Sequence, residues 1–221
     1  DQDVCVTVFF AHDRLFVNDG KGKFSDASGR FLNGNVAIKS ASVGVAWGDI
    51  DNDGWLDLYV TTDSWVSGGG MSTLLYHTDR FGLTPWPNAL YRNRGGKSFD
   101  LHGTSPQFLG EAHDVQFEDI DHDGDLDLYT TCHGFNNNRI GTRGGNPLFL
   151  NDGRGNLNRA PDSLGVSPVE NYVSGVMVDL DQDGDLDIAT AHFNSGYIKV
   201  YRNELNDKNW LTVRAAGTKS N

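Results

Sequence analysis

The stretch Asp179-Leu180-Asp181-Gln182-Asp183-Gly184-Asp185-Leu186-Asp187 sets carboxylates on alternate residues and a glycine at its sixth position. It recurs as Asp119-Ile120-Asp121-His122-Asp123-Gly124-Asp125-Leu126-Asp127, and again as Asp49-Ile50-Asp51-Asn52-Asp53-Gly54-Trp55-Leu56-Asp57. Acidic side chains at positions 1, 3, 5 and 9 make a small cage of hard oxygen donors. Calcium takes about six to eight oxygens, and short acidic loops supply them as carboxylates plus a backbone carbonyl. The glycine permits the sharp turn that returns position 9 toward the ion. One such loop can arise by chance, but three with the same flanks mark a repeat.

A second element accompanies each acidic loop: Leu15-Phe16-Val17-Asn18, Leu90-Tyr91-Arg92-Asn93, Leu148-Phe149-Leu150-Asn151 and Val200-Tyr201-Arg202-Asn203. Apolar and aromatic residues running into Asn and Gly read as a strand entering a tight turn. Each unit is therefore written as four antiparallel strands. Strand A enters the loop (44–48, 113–118, 175–178), and strand B leaves it (56–61, 126–131, 186–191). Strand C is the Leu-Tyr-Arg-Asn element, and strand D follows its turn, as at Lys23-Phe24-Ser25-Asp26. The first loop residues Asp49, Asp119 and Asp179 are 70 and then 60 residues apart, a period that fits β-propeller blades with insertions. The expected fold class is all-β, with propeller blades carrying an Asp-x-Asp-x-Asp-Gly-x-x-Asp loop between strands A and B.

Spacing also shows where length varies. From strand-C Asn to the next loop the distances are 31, 26 and 28 residues (Asn18 to Asp49, Asn93 to Asp119, Asn151 to Asp179). From the end of a loop to the next strand-C Asn they are 15, 36, 24 and 16. The extra residues fall between strands B and C, on one rim, where repeat proteins place binding loops. The longest insertion, about residues 63–88, carries Trp65, Gly68-Gly69-Gly70, Tyr76, His77, Phe81 and Trp86; the next runs from His133 to Asn146. A protein or carbohydrate ligand is the partner expected there. The chain holds the end of one blade, two whole blades and three strands of a fourth, and closure takes about four to eight blades. The remaining blades, or a neighbouring chain, are the other expected partner. The opening Asp1-Gln2-Asp3, without Met, reads as the last third of another acidic loop in a processed or truncated segment.

Composition narrows the function classes. Only 38% of the 221 residues are hydrophobic, 27 are glycine, and the formal net charge is -12. That charge argues against nucleic acid and anionic membranes, although three divalent ions would halve it. No apolar run approaches the roughly 20 residues of a membrane span, and no Asn-x-Ser/Thr sequon occurs. Cys5 and Cys132 are far apart in sequence, so one disulfide and two buried thiols are both open. No Gly-x-Ser-x-Gly elbow, Walker loop or His-Glu-x-x-His is present, so no enzyme activity is expected. Seven histidines are scattered. Of these, His122 is expected to point out of its loop into solvent, and His133 and His192 to approach one another on a rim.

The loops are not EF-hands, which need a bidentate Glu at position 12; that position is Val60, Thr130 or Thr190. Gly44-Val45-Ala46-Trp47-Gly48 with its acidic loop, Leu-Asp-Leu-Tyr-Val after it and the later Leu-Tyr-Arg-Asn resemble the FG-GAP/VCBS repeat of calcium-binding β-propellers, over residues 1–205. Residues 209–221, Asn-Trp-Leu-Thr-Val-Arg-Ala-Ala-Gly-Thr-Lys-Ser-Asn, resemble the opening of an ASPIC/UnbV domain, so 206–221 is expected to be a truncated start of that segment. Carried over by position, the resemblance implies three Ca²⁺ sites. Their side-chain ligands would be Asp49, Asp51, Asp53 and Asp57; Asp119, Asp121, Asp123 and Asp127; and Asp179, Asp181, Asp183 and Asp187. Trp55, Asp125 and Asp185 would offer backbone carbonyls. Asp1 and Asp3 match positions 7 and 9 of a loop without its first half. The resemblance implies a secreted or cell-surface module for structure, adhesion or ligand binding, with calcium structural. A calcium-dependent hydrolase or lyase on a propeller, and a carbohydrate-binding lectin, are the alternatives.

Overall fold

A computed structural model describes residues 1–8, 12–31, 41–63, 78–79, 82–83, 88–102, 112–132, 145–168, 170–193 and 195–205. The aromatic insertion residues Trp65, Tyr76, His77, Phe81 and Trp86, together with His133 and residues 206–221, lie outside the described residues.

The described chain is all-β, with several antiparallel sheets and almost no helix. The first sheet has three strands, β1 (Val4–Val6), β2 (Arg14–Asn18) and β3 (Phe24–Asp26), followed by the single-turn helix α1 (Ser28–Phe31). The second sheet is formed by β4 (Ala41–Gly48), β5 (Asp57–Asp63), β8 (Ala89–Asn93) and β9 (Phe99–Leu101). Between β5 and β8 a hairpin of β6 (Thr78–Asp79) and β7 (Gly82–Leu83) stands apart. The third sheet has β10 (Ala112–Glu118), β11 (Asp127–Cys132), β12 (Leu148–Asn151) and β13 (Leu157–Arg159). The fourth has β14 (Tyr172–Val178), β15 (Asp187–His192) and β16 (Ile198–Tyr201). Strands follow chain order in every sheet, as hairpin-to-hairpin connection requires.

Each acidic stretch is the hairpin loop joining the first two strands of a sheet. The register is the same three times: Gly48 faces Asp57, Glu118 faces Asp127, and Val178 faces Asp187. β4 and β14 begin earlier than their glycines suggest, at Ala41 and Tyr172 rather than Gly44 and Gly175. Those glycines lie inside strands because the neighbouring sheet passes close by. A Cβ on Gly44 would stand 2.6 Å from the His113 carbonyl oxygen, and one on Gly175 would stand 2.8 Å from Thr131 Cγ2.

Successive sheets pack face to face. β10 lies against both β4 and β14, and three apolar clusters fill the gaps between sheets. Leu58, Val60, Tyr91 and Phe99 of the second sheet meet Leu15 of the first. Ile50, Tyr59 and Leu90 meet Phe117 and Phe149 of the third, with Tyr59 and Phe117 edge to face at 6.2 Å. Ile120, Tyr129 and Leu148 meet Met177 and Ile188 of the fourth. Each buried Leu, Ile or Phe contributes about 1.5–3 kcal/mol, so the stability of each sheet rests on its neighbours. Cys5 and Cys132 are not joined by a disulfide. Among the described residues no helix is long and apolar enough to cross a membrane.

Candidate metal centres in the acidic loops

Within each loop the backbone organises the carboxylates. Position 4 adopts a left-handed conformation (Asn52 φ 57°, His122 φ 58°, Gln182 φ 64°), and so does the glycine at position 6 (φ 88°, 95° and 99°). The asparagine at position 4 of the first loop is a residue type that tolerates this region. These two inversions wrap the loop around its first carboxylate. Asp49 accepts the N–H groups of Asp53 and Gly54, at 3.0 and 2.8 Å. Asp119 and Asp179 do the same with Asp123 and Gly124, and with Asp183 and Gly184. The position-5 carboxylate accepts the N–H of position 7: Trp55, Asp125 and Asp185 in turn.

Three clusters result in which carboxylate oxygens lie within 4.8 Å of one another: Asp49–Asp51–Asp53, Asp119–Asp121–Asp127 and Asp179–Asp181–Asp183. The expected sets are thus brought together in part. Asp57 and Asp187 stand outside their clusters, as does Asp123 in the second loop. Each position-9 carboxylate is buried and accepts two backbone N–H groups. Asp57 takes those of Ile50 and Asn93, Asp127 those of Ile120 and Asn151, and Asp187 those of Leu180 and Asn203. Position 9 therefore ties strand C to the loop. Burial pushes the Asp57 carboxyl up to about 6 against two backbone hydrogen bonds, with Asp51 and Asp53 adding repulsion. Burial pushes Asp127 up to about 7, with Asp121 and Asp123 beside it.

A hard divalent cation fits these residues. The donors are oxygens without sulfur or imidazole, which suits Ca²⁺ or Mg²⁺ rather than zinc or copper. In the first loop Asp51 Oδ1 is buried with no hydrogen-bond partner, an acceptor that a bound cation would satisfy.

The position-7 side chains do not face their own clusters. Asp125 Oδ1 accepts a 2.8 Å hydrogen bond from Asn52 Nδ2 at position 4 of the preceding loop. Asp185 Oδ1 lies 3.8 Å from His122 Nδ1 in the same relation. His122 thus points out of its loop as expected, but into the next loop rather than into solvent. The position-7 carboxylate sits close to it because the sheets stack. The Trp55 ring lies over Gly96, where a Cβ would stand 2.6 Å from it.

Two further sets escaped the reading of the sequence. Arg92, on strand C, holds Asp51 at 2.8 Å, and Arg202 holds Asp181 at 2.8 Å and Asp183 at 3.3 Å. The third sheet has Leu150 at that position. The strand-C asparagines clip neighbouring sheets. Asn151 Nδ2 donates to the carbonyls of Ile50 and Leu126, and Asn203 Nδ2 donates to that of Ile120. Recurrence of Arg and Asn in Leu-Tyr-Arg-Asn was a visible signal, but it reads equally well as turn chemistry.

No curated protein matches the chain. The family model described as FG-GAP-like repeat matches residues 1–60, from the first sheet through β4 and the first complete acidic loop into β5; this segment is similar to FG-GAP-like repeats.

Proposed function

We propose that the chain is a stretch of calcium-stabilised β-propeller that serves outside the cell as a non-catalytic interaction module. One observation carries the reading: three hairpin loops with identical strand register, each converging three carboxylates within 4.8 Å. Three acidic side chains this close repel unless a cation neutralises them. Asp49, Asp51 and Asp53 would hold the first ion, Asp119, Asp121 and Asp127 the second, and Asp179, Asp181 and Asp183 the third. Trp55, Asp125 and Asp185 would each offer a backbone carbonyl to the same ion. A bound ion supplies charge neutralisation at the mouth of the hairpin, and the chain's own residues do the rest. The buried position-9 carboxylate anchors strand C, and the strand-C asparagine anchors the preceding loop.

An extracellular setting suits this role, since extracellular calcium modules bind at about 10⁻⁴–10⁻³ M and are saturated there. The similarity of residues 1–60 to FG-GAP-like repeats supports a structural or interaction role. The variable lengths between strands B and C point to that rim as the ligand face, for a protein or a carbohydrate.

Calcium titration by calorimetry, paired with melting curves, tests the reading. Saturating Ca²⁺ is expected to raise Tm by several degrees through linkage and excess chelator to lower it, with Asp181→Ala removing one site from the stoichiometry. A melting curve indifferent to calcium and chelator would sink the proposal.

A further inference from the structure

The first and second acidic loops are joined by hydrogen bonds that begin and end on residues beside their carboxylates. In the second loop Asp127 belongs to the carboxylate cluster, and its Oδ1 accepts the Asn151 backbone N–H at 2.9 Å. The side chain of the same asparagine donates to the Ile50 carbonyl at 2.8 Å. Ile50 stands between Asp49 and Asp51, two carboxylates of the first cluster. A second link runs through Asp125, whose Oδ1 accepts Asn52 Nδ2 at 2.8 Å. Asn52 stands between Asp51 and Asp53. A third runs through Arg92, which holds Asp51 at 2.8 Å and donates to the Arg154 carbonyl in the turn between β12 and β13.

The second and third loops are joined less closely. Asn203 donates to the Ile120 carbonyl at 3.0 Å, but Asp187, which accepts the Asn203 backbone N–H, lies outside its cluster. His122 Nδ1 stands 3.8 Å from Asp185, too far for a hydrogen bond.

We infer that cation binding in the second loop raises the affinity of the first loop, and the converse. This coupling rests on reading the loops as cation sites. In an empty loop the carboxylates repel one another. With a cation bound, the second-loop carboxylates close up, and Asp127 and the backbone of Asp125 are fixed. Asn151 and Asp125 then hold Ile50 and Asn52 in place, so part of the ordering that the first loop needs has already been met. By linkage each site favours the other by the same factor. Repulsion between the two ions opposes this, but three carboxylates surround each ion and salt screens charge over about 8–10 Å.

Calcium titration of the 221-residue chain tests the coupling. Calorimetry counts the sites, and the emission of Trp55, inside the first loop, follows that loop; a parallel titration of Trp55→Phe removes the signal of the other tryptophans. Asp121→Ala deletes the second site. The first-loop midpoint is expected to move to calcium about 5-fold higher or more, although no residue of that loop has changed. Asp125→Ala removes only the acceptor of Asn52 and should keep three sites while moving the midpoint in the same direction, and Asp125→Asn restores the acceptor and the midpoint. Asp181→Ala, in the third loop, should move it less. Circular dichroism checks that each variant folds. Should Asp121→Ala fail to fold, Asp125→Ala still reads the link, at a position where the first loop carries Trp. A first-loop midpoint indifferent to loss of the second site overturns the coupling and leaves the calcium reading standing. A shift to lower calcium, as repulsion between ions would give, overturns it too. A chain that takes up no calcium overturns both.

Discussion

Asp127 serves two masters, a hairpin and an acidic cluster, while Asp57 holds its hairpin beside a cluster it does not join. Each accepts two backbone N–H groups, and each is raised from the ordinary 3.8, to about 6 and about 7, by burial and neighbouring aspartates. A raised folded-state value means that the fold favours the neutral acid. The stabilisation from that preference is complete below about pH 4 and is lost as pH rises through about 6 and 7. In chelator, Tm is therefore expected to fall across that window. In saturating calcium the charged carboxylates are neutralised by the ion, so the fall should vanish, and lowering the pH should instead weaken calcium binding as protons compete. Parallel melting series with and without calcium check this; identical pH profiles would contradict it.

At the scale of elements, the glycines of the inner strands and the arginines of strand C set the limits. Gly44 lies inside β4 with the His113 carbonyl where its Cβ would be. Backbone cannot swing aside as a flexible side chain does, so Gly44→Ala is expected to cost about 1–3 kcal/mol. Gly29, in α1, has open space around it, and Gly29→Ala should be neutral or gain up to about 1 kcal/mol. Urea denaturation of the two variants separates close packing from a general effect of added methyls. The second element-scale prediction concerns Leu150, which occupies in the third sheet the place of Arg92 and Arg202. At that place Arg92 and Arg202 each set a guanidinium against the carboxylates of their own loop, whereas the Leu150 side chain carries no charge. Leu150→Arg is expected to weaken calcium binding at one site and to shrink the Tm lost on chelation.

Across the molecule, stability is shared between sheets rather than held within them. Asn151 bridges the second loop to the first across 101 residues of sequence, with its donor group 2.8 Å from the Ile50 carbonyl. Removing a buried partner leaves an unsatisfied carbonyl costing about 1–3 kcal/mol, so Asn151→Ala should destabilise by about that much. Asn18→Ala removes the same side chain from the first sheet, where Asn18 Oδ1 only gathers its own turn, and should cost visibly less. Equal losses for the two variants in chemical denaturation would mean that the turn, not the clip between sheets, is what asparagine stabilises there.

Much of this architecture was legible from the order of residues alone. The acidic loops, the strands on either side of them and the strand-C turns are local features, set by alternation of side chains, by glycine at position 6 and by Asn-Gly turn chemistry. Their boundaries moved by only a few residues, and they moved where Gly44 and Gly175 lie inside strands because another sheet approaches. The loop carboxylates were legible as a group for the same reason: nine residues of backbone suffice to gather them. What sequence left open was the use of positions 4 and 7, of Arg92 and Arg202, and of Asn151 and Asn203. Asn52 meets Asp125 across 73 residues, and Asn203 meets Ile120 across 83. No local periodicity encodes such pairs. They exist only because hydrophobic burial stacks one sheet on the next and brings equivalent positions of successive repeats within hydrogen-bonding reach.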